Sequence, residues 1–315
     1  MQHFFIATPC LNAEKWIDGA ISSVVTQRGN FSIHYHVQDG GSCDSTVEHI
    51  KKWEEILKTA SPIIGCGEIS FTWESEPDSG MYEAINKAFG HLSVPPDGIM
   101  AWVNADDAYL PHAFATASRV FSDLPDLLWM GGALSVFRES ALRPSPNSLQ
   151  PYPQELIKDY CCDASCWEHL HQASMFWKGT LWRQAGGLDE RLRYAGDYEL
   201  WARFAMHAPF VHLAVPLCCY CSRPGQLSQH QSYREEKEKI LPLKERQARV
   251  RNFWRKRLHP PLAPSLGWNG ENFCIVQRRA WPVWGHGFSF YQRRLRYYAS
   301  RWGHYVKMKM SSLLS

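Results

Sequence analysis

Ile99-Met100-Ala101-Trp102-Val103-Asn104-Ala105-Asp106-Asp107 is the stretch on which the reading of this chain turns. Five consecutive apolar residues run into two adjacent carboxylates. A run this short and this apolar predicts a strand covered on both faces, at the centre of a parallel sheet. The carboxylates repel each other unless a cation sits between them, so they read as functional rather than as a plain turn.

Working outward, the upstream chain alternates strand and helix patterns and predicts an α/β fold. Strands are expected at 3–8, 34–38 and 69–73. A helix capped by Asn12 is expected to reach about Thr26, with Trp16, Ile17, Ala20, Ile21 and Val24 on one face. Ser45-Thr46-Val47-Glu48 reads as a capping box opening a second helix. Residues 81–92 read as a third, and Pro111 starts another that ends near Phe121. Downstream the pattern is less regular. A strand-pair element is expected at 127–137, a Ser/Pro-rich loop at 140–153, and a short helix at 180–185 stopped by Gly186-Gly187. An amphipathic helix is expected at 198–207, a strand at 210–220, and a long charged helix at 233–257 bent near Pro242.

The 315 residues, 45% apolar, allow one large core or two modest domains. A net charge of +3 excludes a nucleic-acid binder by charge alone. No signal peptide and no apolar run of transmembrane length is expected, which points to the cytoplasm. The 10 cysteines then read as reduced thiols. Cys161, Cys162, Cys166, His169 and His171 cluster, but without a CxxC pair they favour buried or idle thiols over zinc. No GxGxxG follows the first strand and no GxxxxGK[ST] occurs, so phosphates need another partner; a divalent metal held by carboxylates is the alternative.

Two further strand ends are acidic: Asp39-Gly40-Gly41-Ser42-Cys43-Asp44 and Glu76-Pro77-Asp78-Ser79-Gly80. Ligands of open α/β sheets bind beyond the carboxyl ends of strands, so these groups would converge on one crevice. Taken singly, Asp39 and Asp78 read as turn formers. Asp197, in Ala195-Gly196-Asp197-Tyr198-Glu199, taken alone is an N-terminal cap; in company with the others it is a candidate general base.

In order, these pieces resemble family 2 inverting glycosyltransferases of the GT-A fold. The match runs through Thr8, Pro9 and Asn12; Asp39-Gly40-Gly41-Ser42 with Asp44 and Thr46; and Glu76, Asp78, Gly80-Met81-Tyr82, Ala84, Asn86 and Lys87. It continues through Asn104, Asp106-Asp107, His171-Gln172, Gly186-Gly187, Asp189 and Asp197-Tyr198-Glu199-Leu200. It covers roughly residues 1–230 and looks most like small non-processive enzymes of bacterial surface-polysaccharide synthesis. The resemblance implies a nucleotide-sugar-binding sheet flanked by helices, and metal-dependent transfer from a UDP- or dTDP-sugar to a hydroxyl of a glycan or lipid-linked acceptor. It implies that Asp39 accepts a hydrogen bond from the base and that Asp106 faces the ribose or the metal shell. Asp107 would ligate Mg²⁺ or Mn²⁺, and Asp78, Asn86 and Lys87 would lie near the donor with Thr8, Pro9 and Asn12. His171 and Gln172 would border the acceptor, and Asp197 would take its proton. His230 is the candidate third metal ligand, against the plainer reading of a surface histidine.

The chain departs from the pattern in two places. Many relatives carry Glu-Asp where this one has Gly196-Asp197, and the QxxRW motif of processive synthases is absent, since Gln277-Arg278-Arg279-Ala280-Trp281 lacks its Arg. Other classes considered are a non-catalytic nucleotide-sugar-binding protein and a sugar-phosphate nucleotidyltransferase. Residues 231–315 form the expected helical, basic and aromatic extension. Its Arg, Lys, Trp and Tyr suit an anionic membrane surface at the inner face of the plasma membrane, with an amphipathic helix at 290–310.

Overall fold

The computed structural model describes residues 1–59, 65–138, 141–144, 149–223, 226, 230–257 and 259–280. The amphipathic helix expected at 290–310 lies outside them.

Parallel strands β1 (Gln2–Cys10), β2 (Phe31–Asp39), β3 (Glu68–Ser75) and β4 (Ile99–Trp102) form one half of the sheet. Between them run α1 (Ile17–Val25), α2 (Thr46–Thr59) and α3 (Met81–Leu92), and α4 (Ala113–Asp123) follows. The other half holds β6 (Trp129–Arg138), β8 (Met175–Lys178), β9 (Val211–Cys221), β10 (Leu262–Trp268) and β11 (Phe273–Arg279). The order across the sheet is β11-β10-β9-β6-β8-β4-β1-β2-β3. The short strands β5 (Ala108–Tyr109) and β7 (Ala141–Pro144) pair with β9 and β6. Helices α5 (Gln154–Lys158), α6 (Gly179–Ala185), α7 (Gly196–His207), α8 (Gln231–Ile240) and α9 (Leu243–Arg255) complete the described fold.

The apolar stretch at 99–103 sits where its composition placed it. β4 lies between β1 and the antiparallel β8, and Ile99 to Val103 are fully buried. Indoles cement this point: Trp102 stacks on Trp201 at 5.6 Å and meets Trp177 edge-on at 5.4 Å. Helix α7 is thereby packed against the central strand. Where β6 passes β9, a Cβ on Gly132 would lie 2.4 Å from Leu217 and 2.9 Å from the Val215 carbonyl. The pairing slips beside this glycine, so that β9 carries extra residues against β6 before pairing resumes at Leu134 and Cys218.

Several local expectations are corrected. Asn12 does not cap α1: it sits at φ 50°, its side chain accepts from the Cys43 amide, and the helix begins at Ile17. The capping box at 45–48 does not close. The Ser45 amide is met by Glu14, and Asp44 accepts from the Thr46 amide. The element at 127–137 is one strand with a short partner, and the helix expected at 233–257 is two, broken ahead of Pro242. Beyond those helices the extension returns to the sheet as the β10–β11 hairpin, which no alternation in the sequence had announced.

The segment between α5 and β8 has little regular structure and is held by a buried ion pair. Arg246 of α9 meets Asp163, with side chains 3% and 0% exposed, and Asp163 also accepts from the Ser165 and Cys166 amides. Removing one partner of such a pair strands the other charge. Arg246→Ala should therefore lose about 3–5 kcal/mol, read as a lower urea midpoint at unchanged m-value.

Candidate functional site

Because β1, β2, β3 and β4 are parallel, their carboxyl ends open on the same side of the sheet, where ligands of such folds collect. Asp39 is the last residue of β2, in register with Cys10 on one side and Ser75 on the other. Both neighbours donate to its carboxylate, the thiol at 3.6 Å and the Ser75 hydroxyl at 2.7 Å. The Gly41 and Ser42 amides and the Ser42 hydroxyl add to them. Asp39 is fully buried and well supplied with donors, so it organises the loop 40–44 around itself. Asp78 stands beside it: a Cβ on Gly40 would lie 2.7 Å from its carboxylate. Burial and the charges of Glu83 and Asp39 push the Asp78 carboxyl upward, while the Gly80 amide opposes.

The remaining residues expected near the donor are distributed as follows. Thr8 is buried with its hydroxyl 2.9 Å from Tyr35, and Pro9 follows it on β1. Lys87 is drawn to Glu76 at 2.6 Å and Glu83 at 3.0 Å. Asn86 points elsewhere, clamping Leu188 through both amide atoms and reaching Glu190 at 2.8 Å. Asp106 accepts from Arg223 at 2.8 Å and Gln226 at 3.2 Å, and the Arg223 guanidinium lies 4.2 Å over the Trp16 ring. Asp107 is buried and accepts from the Cys221 amide at 3.1 Å. Burial and the neighbouring Asp106 push its carboxyl well above the usual range. The side-chain Oδ1 of Asn104 is buried there with no hydrogen bond. Two crowded carboxylates and an unsatisfied amide oxygen form an oxygen donor set that fits Mg²⁺ or Mn²⁺, ions that take few protein ligands alongside phosphate oxygens.

His230 has another occupation. Its ring stacks on Tyr194 at 5.5 Å and it caps α8, accepting from the Ser232 amide. Among the described residues no three His, Cys, Asp or Glu stand together as a metal site.

Asp197 lies at the start of α7 with its side chain 14% exposed. Its Oδ1 is buried without a hydrogen bond, and its Oδ2 is 3.9 Å from His169 Nε2. Burial pushes the carboxyl up to about 6, against the pull of the Tyr198 amide and Lys237. Burial also depresses His169 well below the usual histidine range and His171 to about 4. Both imidazoles are thus neutral near pH 7. Gln172 opens a short 3-10 turn, and its Oε1 is likewise buried without a partner.

A continuous line of side chains joins the two carboxylate groups. From Asp197 it passes to His169, on to His171 with rings 5.1 Å apart, and to Tyr220 at 6.1 Å. The Tyr220 hydroxyl donates to Gln226 at 2.9 Å, and Gln226 donates to Asp106. Open clefts of about 390 and 480 Å³ on α5–α9 and on α8 are lined mostly by charged side chains and include none of these residues.

Sequence reading missed Arg223, Gln226, Tyr233 and Lys237. The first two follow β9 in a segment without periodicity. Lys237 is buried in a helix that otherwise reads as charged surface, 4.2 Å over the Tyr233 ring. Only the phase of α8 carried a signal for it.

Residues 5–175 match the Glycosyl transferase family 2 profile. An uncharacterized glycosyltransferase of Mycobacterium tuberculosis, MT1564, is 27% identical over 220 residues, 68% of this chain and 72% of that protein. Among solved structures, Staphylococcus aureus TarS 1-349 in complex with UDP-GlcNAc superposes with a TM-score of 0.56 at 14% identity, over 75% of this chain and 64% of that one. The mannosyltransferase PcManGT from Pyrobaculum calidifontis, in complex with GDP-Man and Mn²⁺, gives 0.51 at 18% identity, over 72% and 58%. The chain thus spans less than two thirds of either structure. At these identities the structural likeness concerns the fold.

The raised Asp197 carboxyl has a consequence for stability. Its native value of about 6 lies above the ordinary 3.8, so the penalty for its charge is absent below about 3.8 and complete above about 6. Asp197→Asn should stabilise the fold at pH 8 by up to about 3 kcal/mol and leave it unchanged at pH 3.5. Tm measured at both pH values checks this; equal Tm for variant and parent at pH 8 speaks against a disfavoured carboxylate.

Proposed function

Since this chain belongs to glycosyltransferase family 2 and has the GT-A fold, we propose that it is a metal-dependent, inverting, non-processive transferase. It moves a sugar from a UDP- or dTDP-sugar to a hydroxyl of a glycan or lipid-linked acceptor. Residues 1–230 carry most of the transfer site, and α8 adds Tyr233 and Lys237 to its wall. The observation that carries the reading is Asp197: an enclosed carboxylate with an unsatisfied oxygen, joined side chain by side chain to the Asp106–Asp107 end of β4. The complexes of TarS with UDP-GlcNAc and of PcManGT with GDP-Man and Mn²⁺ support a nucleotide-sugar donor and a divalent cation.

The donor diphosphate lies over the carboxyl ends of β1 to β4. Asp107, with Asp106 and Asn104, would hold the cation, which when bound offsets the charge developing on the leaving diphosphate. Arg223 is placed to follow that charge, because its guanidinium already rests on Trp16 beside Asp106. Asp39 and its donors keep the loop 40–44 in shape against the nucleoside. The acceptor hydroxyl enters between Asp197, His171 and Gln172. Its oxygen forms a bond to the anomeric carbon as the bond from that carbon to the diphosphate oxygen breaks. The electron pair leaves with the nucleoside diphosphate, and the hydroxyl proton passes to Asp197. One direct displacement inverts the anomeric centre. A base near 6 is charged at neutral pH yet still basic enough to accept a proton.

A thermal-shift panel of nucleotide-sugars with and without Mn²⁺ tests donor binding, since a ligand of the native state raises Tm. Asp107→Asn should fold normally and lose metal-dependent turnover. Asp197→Asn should keep the donor-induced shift and lose transfer by roughly 10²–10⁴-fold. Near wild-type transfer by Asp197→Asn would falsify its role as base.

A further inference from the structure

Gly196 is the first residue of α7, and its backbone does not lie in the left-handed region, so conformational freedom does not explain a glycine there. Space does. A Cβ at 196 would lie 2.6, 2.7 and 2.9 Å from Cε2, Cδ2 and Cζ of Tyr82. The Tyr82 ring, 1% exposed at the start of α3, occupies the volume that a side chain beside Asp197 would fill. Its hydroxyl is buried without a hydrogen bond, and so is Asp197 Oδ1. The two sit close enough that the hydroxyl favours the charged carboxylate and the carboxylate disfavours ionisation of the phenol. A buried donor facing a buried acceptor short of full hydrogen-bond geometry is costly, and the ring's seat on Gly196 holds the two together. Phenylalanine would pack on Gly196 as well, so the hydroxyl is the atom that needs explaining.

We propose that Tyr82, seated on Gly196, is the positioning residue of the Asp197 carboxylate, its hydroxyl donating to Oδ1 in the charged state. This rests on the reading of Asp197 as the base. A phenol from α3 thereby serves the carboxylate of a Gly196-Asp197 pair that has no acidic neighbour at 196. The other groups facing Asp197 are the Tyr198 amide, Lys237 and Tyr233 of α8, and His169. None of these is removed by altering Tyr82, so its hydroxyl can be tested alone.

The test is Tyr82→Phe in the full chain, with the Asp197 carboxyl followed by carbon-13 NMR titration and its signal assigned by its loss in Asp197→Asn. The midpoint should move up by about one pH unit. In a transfer assay kcat near pH 6 should fall about fivefold, its acidic limb should shift upward, and the donor KM should hold. Gly196→Ala, which pushes the ring aside, should change the midpoint in the same direction. An unmoved midpoint in Tyr82→Phe, or a moved midpoint with wild-type kcat across the pH range, overturns the proposal. If the wild-type chain transfers no sugar while the midpoint still moves, the pairing stands and the base assignment fails.

Discussion

Taking a carboxylate out of water costs several kcal/mol unless donors or a cation replace the lost solvation. Asp39, Asp107, Asp163 and Asp197 are such cases among the described residues, and the way each charge is met separates framework from chemistry. Asp39 receives donors from three parts of the chain, and Asp163 receives Arg246 and two amides. Those two are framework. Asp107 has one backbone amide and the Asn104 side chain set against burial and a repelling neighbour, and Oδ1 of Asp197 is buried without a hydrogen bond. The incompletely solvated pair faces the site. On the proposed function, an incoming cation, diphosphate or hydroxyl would supply what the folded chain withholds, and that need would give the ligand its grip.

The framework exists to hold these two groups in place. Trp102 ends the central strand and stacks on Trp201, which fixes α7 and hence Asp197 relative to β4 and hence Asp107. The Arg246–Asp163 pair fixes the irregular segment that carries His169 and His171. The slip beside Gly132 sets the register of the far end of β9, where Cys221 meets Asp107 and, just beyond, Arg223 meets Asp106. Each depends on close packing, which transmits small displacements because interiors have little free volume. Damage far from the carboxylates can therefore reach them.

How much of this was legible depends on whether the signal was local. Strand patterns with a short range, such as the apolar run at 99–103, and the helix at 81–92, were read correctly, because burial on both faces or along one stripe leaves its period in the sequence. The β10–β11 hairpin and the slip between β6 and β9 were not, because they answer to neighbours remote in the chain, whereas Pro242 marked locally where α8 gives way to α9, though as a break and not a bend. Asn12 looked like a cap and became a bridge to Cys43 for the same reason.

The sequence by itself determined the α/β class, the acidic strand ends and the candidacy of Asp107 and Asp197, since residue type and order carry charge and periodicity directly. Only the tertiary structure decided which carboxylates are saturated and which are left open. It also assigned His230 to the end of α8, buried Lys237, and set Tyr82 against Gly196. Hydrogen-bond completeness and desolvation are properties of assembled space, and no linear pattern of residues encodes them until distant segments have packed together.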